Sequence, residues 1–306
     1  MASDTATFPP DLSRLTTVQW VGALRALGEA QGFCEPLGPS HLAAFVERGD
    51  TLMVGFESIP GIQSLSPTHT PLALDMAGSH NWSALSVLST GDTWFRHRRV
   101  YEFFDQLTDD GFFDDFDTVL FYGAGPCGYA AAAFSVACPG ARVLVLQPQA
   151  TLDPRVTEWD DRFTEERRRD FTSRYGFAPE MLDGALRADV LYDPREPLDA
   201  MHSALFKRPA VQRHRLPFMG ATLQSGLRAL DVITPLLEAA ADGTIGTSLV
   251  SRLMRARRTY PPYLRRLLAR LDADDRHALA EMLCINVTSR MHAPRFARRL
   301  AQLRGS

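Results

Sequence analysis

The stretch Phe121-Tyr122-Gly123-Ala124-Gly125-Pro126-Cys127-Gly128-Tyr129-Ala130-Ala131 decides how this chain folds. It begins inside an apolar run, Thr118–Tyr122, and leads through small residues toward Ala137, after which comes a second apolar run, Arg142–Leu146. A strand, crossover helix and second strand of this length make a parallel βαβ unit. The uninterrupted apolar character of both strands fits a sheet covered on its two faces. The glycines between them give a tight strand-to-helix turn, because glycine tolerates positive φ and close backbone approach.

Working outward, Leu12, Leu15, Trp20, Leu24 and Leu27 are spaced as on a helix, with Ser13 or Thr16 as cap and Gly32 as terminator. Leu42–Val46 and Thr51–Phe56 read as strands, and the turn-forming Gly49-Asp50 between them predicts a hairpin. Ile59–Pro71, rich in Pro, Ser and His, predicts a loop; Ala84–Leu88 predicts a buried strand and Arg99–Leu107 an amphipathic helix. Beyond a charged insertion, Glu158–Arg174, strands are expected at Asp189–Tyr192 and Val211–Leu216 with a helix over Leu198–Phe206 between them. From Leu227 onward only helical patterning remains, with Pro261-Pro262 and Pro294 placed where helices begin. The expected class is α/β: a mostly parallel sheet covered by helices, with a helical appendage. The expected segments are 1–40 (N-terminal helical), 41–240 (α/β body) and 241–306 (arginine-rich helical).

Two chemistries fit the glycine turn. Gly123-x-Gly125-x-x-Gly128 after a strand and before a helix has the form of a dinucleotide cradle for NAD or FAD, in which the helix N-terminus faces a pyrophosphate. The acidic residue such sites place at the end of the second strand is replaced by Leu146-Gln147-Pro148-Gln149, and more than 100 residues with strands precede the turn. The same residues, Phe121–Ala131, also resemble the "G-x-S-x-G-G-Y-A-A" nucleophile elbow of α/β-hydrolase-fold serine hydrolases related to capsular-polysaccharide and accessory-secretion proteins. The resemblance runs from about Thr51 to Leu230. Gly91–Phe95 resembles the loop before the elbow helix, and Val145–Gln149 with Thr151–Pro154 resembles the "S-P-Q-…-L-D-P" segment. Leu191–Asp193 through Asp199 resembles the acid-bearing turn, and Leu216–Gly220 the segment ending in the catalytic histidine.

What the resemblance implies stops at the chemistry. The position of the nucleophilic serine is Gly125, which has no side chain to attack a carbonyl. The next residue, whose N–H would help hold an oxyanion, is Pro126, which has none. The position of the histidine is Ala221. Asp193 or Asp199 matches the acid, but an acid that orients a histidine has no task without one. Cys127 is the fallback nucleophile, with His202 or His214 as its base; a packed thiol and ordinary histidines are the alternative. The expected protein is a triad-less hydrolase fold acting as a binding or scaffold protein without a cofactor, in a setting of surface-polysaccharide metabolism. The hydrolase arrangement predicts several strands before the elbow and an open space where serine, histidine and acid would meet. A dinucleotide fold predicts the turn at the sheet's topological switch point.

The remaining features bound the answer. With 45% hydrophobic and 23% charged residues the chain has a globular composition. No apolar run approaches the roughly 20 residues of a membrane span, and Met1–Pro10 has Asp4 and no apolar stretch, so a cytoplasmic protein without an export signal is expected. Cys34, Cys127, Cys138 and Cys284 show no C-x-x-C pair or zinc spacing, so free thiols and no metal are expected. Residues 251–306 carry thirteen arginines against four acids, which suits a solvated face, internal charge complementarity or an acidic partner; the absence of aromatic interleaving speaks against nucleic acid. Trp94 to Arg99 forms an aromatic and basic cluster, either a phosphate or sugar contact through Trp94 or a solvated loop with one buried aromatic. Carboxylates and arginines between Trp159 and Asp170 predict i,i+4 ion pairs on a helix. The candidate ligand-binding residues are Gly123, Gly125, Gly128 and Trp94.

Overall fold

The computed structural model describes residues 8–305; residues 1–7, on which part of the export-signal expectation rests, lie outside them. A helix, α1 (Thr17–Gln31), is started by a capping box between Thr16 and Gln19 and ended at Gly32. Eight strands follow among the described residues: β1 (Gly32–Pro36), β2 (His41–Val46), β3 (Thr51–Ser58), β4 (Ser83–Ser89), β5 (Thr118–Ala124), β6 (Arg142–Leu146), β7 (Arg187–Tyr192) and β8 (Val211–Arg215). They form one sheet in the order β1-β2-β4-β3-β5-β6-β7-β8. The β1/β2 and β2/β4 pairs are antiparallel and all later pairs parallel. This is the α/β-hydrolase arrangement, with four strands ahead of β5, the one that runs into the glycine turn.

Buried, unalternating strands require cover on both faces, and the helices supply it. On one face α4 (Arg98–Asp109) and α5 (Pro126–Phe134) pack aromatic rings against β3 and β5: Phe104 lies 5.7 Å from Phe56 and 4.8 Å from Phe134, all three near-parallel. On the other face α1, α2 (Ile59–Leu65), α3 (Leu72–His80), α9 (Leu223–Ala229) and α10 (Ile233–Ala241) bury Trp20, Ile62, Met76, Leu227 and Leu236. Two four-residue helices, α6 (Pro154–Thr157) and α7 (Ala178–Met181), bracket the charged insertion, and α8 (Pro197–Leu205) links β7 to β8. The chain ends in α11 (Thr247–Leu253), α12 (Pro261–Ala273), α13 (His277–Thr288) and α14 (Pro294–Gly305). The last three enclose a small core of their own around Leu264, Leu268, Cys284 and Phe296. No helix among the described residues is long and apolar enough to cross a membrane.

Three local expectations are corrected. β2 and β3 do not form a hairpin, because β4 lies between them. The Gly49-Asp50 connection instead passes the start of β4, where the Ser83 hydroxyl accepts the Arg48 N–H at 2.9 Å and donates to the Gly49 carbonyl at 2.7 Å. Ile59–Pro71 is not all loop: Ser58 caps α2 by accepting the Gly61 N–H, and Pro60 opens it in the first turn, where its missing N–H costs nothing. Residues 158–174 form single 3-10 turns with no i,i+4 pair within them, because Asp160 and Arg162 turn inward.

Candidate functional site

The connections from β3 and β5 leave in opposite directions, to β4 by way of α3 on one face and to β6 by way of α5 on the other. The crevice above their C-terminal ends is therefore a switch point, where open α/β sheets bind ligands. Gly125 stands at its rim with φ 55° and ψ −125°. Its N–H donates to Leu146 O at 2.8 Å and its carbonyl accepts from Tyr129 N–H at 3.0 Å. A Cβ built on Gly125 meets no atom within 4 Å, so the position from which a nucleophile would project faces open space. Gly123 and Gly128 serve another purpose. A Cβ on Gly123 would come within 2.2 Å of the Cys127 carbonyl, and one on Gly128 within 3.1 Å of the Gly123 carbonyl. Both were expected to bind ligand; both let β5 and α5 approach.

Ala221 follows a turn at Gly220 (φ 83°) and lines the same cleft as Gly125. The two candidate acids are separated by their partners. Asp193 is buried and accepts the Gly220 and Arg195 N–H groups at 2.6 and 2.8 Å, which fastens the turn from beneath. Asp199 lines the cleft, where it accepts from Gln147 Nε2 at 2.6 Å and from Arg162 at 2.7 Å. Arg162 is also forked onto Asp160, with contacts of 2.9 and 2.7 Å. Burial opposes the charge of Asp160, but hydrogen bonds from His202 and Arg162 outweigh it and hold the carboxyl far below the usual carboxylate range.

The cleft beside Gly125, about 270 Å³, is walled by Gln147, Gln149, Arg162, Phe163, Asp199, Ala221 and Gln224. A smaller chamber of about 100 Å³ adjoins it, sharing Leu65, Ala124, Pro126 and Gln224, and is lined by Glu57, Ser58, Asp92 and Cys127. Burial pushes the Glu57 carboxyl up to about 7. A wider hollow of about 570 Å³ lies behind Leu65 between α3 and α9; Gly125 and Ala221 do not line it, so its size does not make it the site.

Cys127 and its proposed bases do not make a nucleophilic pair. Burial, and after it Glu57 and Asp92, raise the Cys127 thiol well above its ordinary range, the reverse of activation. Neither His202 nor His214 lines the cleft or the chamber. The fully buried His202 accepts the Ala150 N–H at Nδ1, so its Nε2 proton points to Asp160 at 2.8 Å and no lone pair is left to act as a base. His214 is paired with Asp189 at 2.7 Å. Trp94 is fully buried, its ring 4.7 Å from the cleft residue Phe163, so it backs the wall rather than contacting a ligand. Phe95 and Arg96 are buried as well, which corrects the expectation of one buried aromatic in a solvated loop. Sequence reading missed Glu57 and Gln224, took Arg162 for a member of local helix pairs, and noted Gln147 and Gln149 as the place of an absent acid and as part of the segment resembling S-P-Q.

Comparison with protein-family models and with curated proteins returned no match. Among solved structures, the chain is similar to the thermophilic carboxylesterase EstE1 from a metagenomic library, at 14% identity and a TM-score of 0.45, over 74% of this chain and 94% of that one. It is similar to a hyperthermophilic esterase from Pyrobaculum calidifontis at 12% and 0.44, over 78% and 93%. It is also similar to the capsule O-acetyltransferase of Neisseria meningitidis serogroup A at 10% and 0.42, over 65% and 91%. These are likenesses of fold, and the chain's own strand order and elbow make that fold the α/β-hydrolase one.

Proposed function

We propose that the protein is a non-catalytic member of its fold that binds a small ligand in the cleft where a hydrolase would hold its triad. The observation that carries this reading is the cleft rim itself: Gly125 and Ala221 face it without a nucleophile or base, and Asp199 is held by Arg162 and Gln147. The loss of the Pro126 N–H removes an oxyanion donor, an omission that in working enzymes costs about 10²–10³ in rate. Surface-polysaccharide metabolism is the setting the sequence resemblance suggests, and a cytoplasmic location is part of the same proposal. A phosphate cradle for NAD or FAD has the turn's place at the switch point in its favour, but Glu57 and Asp92 would face the phosphates.

The test is hydrolysis of p-nitrophenyl acetate and butyrate by the full chain beside the Cys127→Ala variant. Both are expected to stay at the buffer rate. Turnover in the parent that disappears in the variant would replace binding by cysteine catalysis.

A further inference from the structure

The chamber between β3 and β5 has an unbalanced set of polar groups. Phe56, Ile62, Leu65 and Pro126 give it apolar walls, and its ionisable lining is Glu57, Asp92 and Cys127, with no lysine, arginine or histidine among the described residues. Glu57, only 7% exposed, forms one hydrogen bond, from the Leu72 N–H to Oε2 at 2.7 Å; Asp92 stands more exposed at the mouth. In the adjoining cleft Gln149, 3% exposed, presents an Oε1 that no donor among the described residues reaches. Arg162, the cation of the cleft lining, is engaged by Asp160 and Asp199. The chamber lining therefore carries negative charge with no cation of its own, the nearby Arg228 being paired with Asp75. Buried acceptors of this kind cost free energy until a partner supplies donors.

We infer that the ligand is a small primary amine, its ammonium group seated in the chamber between Glu57 and Asp92 and its remaining donors directed to Gln149. An ammonium supplies three N–H donors and the missing charge. Phosphates and carboxylates would meet two like charges. A metal ion is not favoured, because no group of three or more His, Cys, Asp or Glu side chains among the described residues is placed to hold one.

The pairing also sets a pH dependence. Glu57 is faced by Asp75 of α3 and Arg228 of α9, by the buried Tyr122 hydroxyl of β5 and the Cys127 thiol of α5, and shares the chamber with Asp92. With its carboxyl pushed up to about 7, Glu57 is largely protonated at pH 6. An arriving ammonium must then displace that proton, whereas above pH 8 the carboxylate is already formed.

The inference rests on the cleft binding a ligand rather than turning one over, and the experiment separates the two. Full-length protein is titrated by calorimetry with 4-amino-1-butanol and, in parallel, with 1,4-butanediol, which has the same length but no charge. The amine is expected to bind at least tenfold more tightly than the diol. Its affinity is expected to rise about tenfold from pH 6 to pH 8, following the ionised fraction of Glu57. At pH 6, heats in buffers of different ionisation enthalpy should show proton release, which vanishes at pH 8. Glu57→Gln should remove both the preference and the proton release; if that variant does not fold, Asp92→Asn should weaken amine binding several-fold. Equal binding of amine and diol, or no binding of the amine, overturns the ammonium assignment. Ester turnover in the same preparation would instead overturn the binding reading.

Discussion

Glu57, next to last in the buried strand β3, has a carboxyl that burial pushes up to about 7. Its folded value exceeds the 4.5 of an exposed glutamate, so the native state holds the proton more tightly than the unfolded chain. Its contribution to stability is complete below about pH 4.5, declines as pH rises, and is lost above pH 7. Asp75, pushed up to about 6 by burial, adds to the decline in the same sense. Glu57→Gln keeps the size of the side chain and its acceptor for the Leu72 N–H. It should therefore gain on the parent as pH rises, by up to about 3 kcal/mol at pH 8. Denaturant midpoints of the two proteins at pH 5 and pH 8 check this, and curves that stay parallel would refute it. None of this was legible in the sequence, where Glu57 is one acid after an apolar run; only the elements packed around it show how deeply its carboxyl is buried. Gly125 and Ala221 were legible, because absence of a side chain is a property of the residue alone.

Among the elements, the insertion between α6 and α7 delivers Arg162 to Asp160 and Asp199, both buried. Arg162→Ala leaves two buried carboxylates short of a donor. The loss expected is about 2–3 kcal/mol, below the 3–5 of a wholly enclosed pair because the guanidinium is 30% exposed. Arg162→Lys should recover little of it, since one ammonium cannot reproduce the forked contacts. Chemical denaturation of both variants tests the pair, and full recovery by lysine would show that charge alone matters. The β5-α5-β6 unit was legible because its contacts are local and its strands apolar throughout. The pairing of β2 with β4 was not, since strands of equal apolarity do not encode which neighbour they take. The Arg162 bridge was hidden for a related reason: charges at helical spacing suggest local pairs, and its partner Asp199 lies beyond β7.

At the scale of the whole molecule, the arginine-rich end is tied to the cleft. Arg266 of α12 donates to the Met219 carbonyl at 2.7 Å, and its guanidinium lies so close to Gly220 that a Cβ there would overlap it. Other arginines of this region pair locally, Arg270 with Asp274, Arg299 with Asp272 and Arg304 with Glu281. These pairs use three of the region's own four acids, so its excess of arginine over acid remains. Arg266→Ala should lower stability by about 1–2 kcal/mol and loosen the turn that carries Ala221. The Gly220 amide, now bonded to Asp193 at 2.6 Å, should exchange its hydrogen faster in the variant. Unchanged exchange at Gly220 would mean that the helices do not brace the site.

The open space above Gly125 has a practical use. A cysteine introduced there would displace no neighbour, although at φ 55° its side chain imposes backbone strain, whereas burial raises the Cys127 thiol. With the half-buried Cys34 and Cys127 replaced, a fluorophore attached at that one point would sit at the entrance to the cleft, and its emission would report occupancy directly.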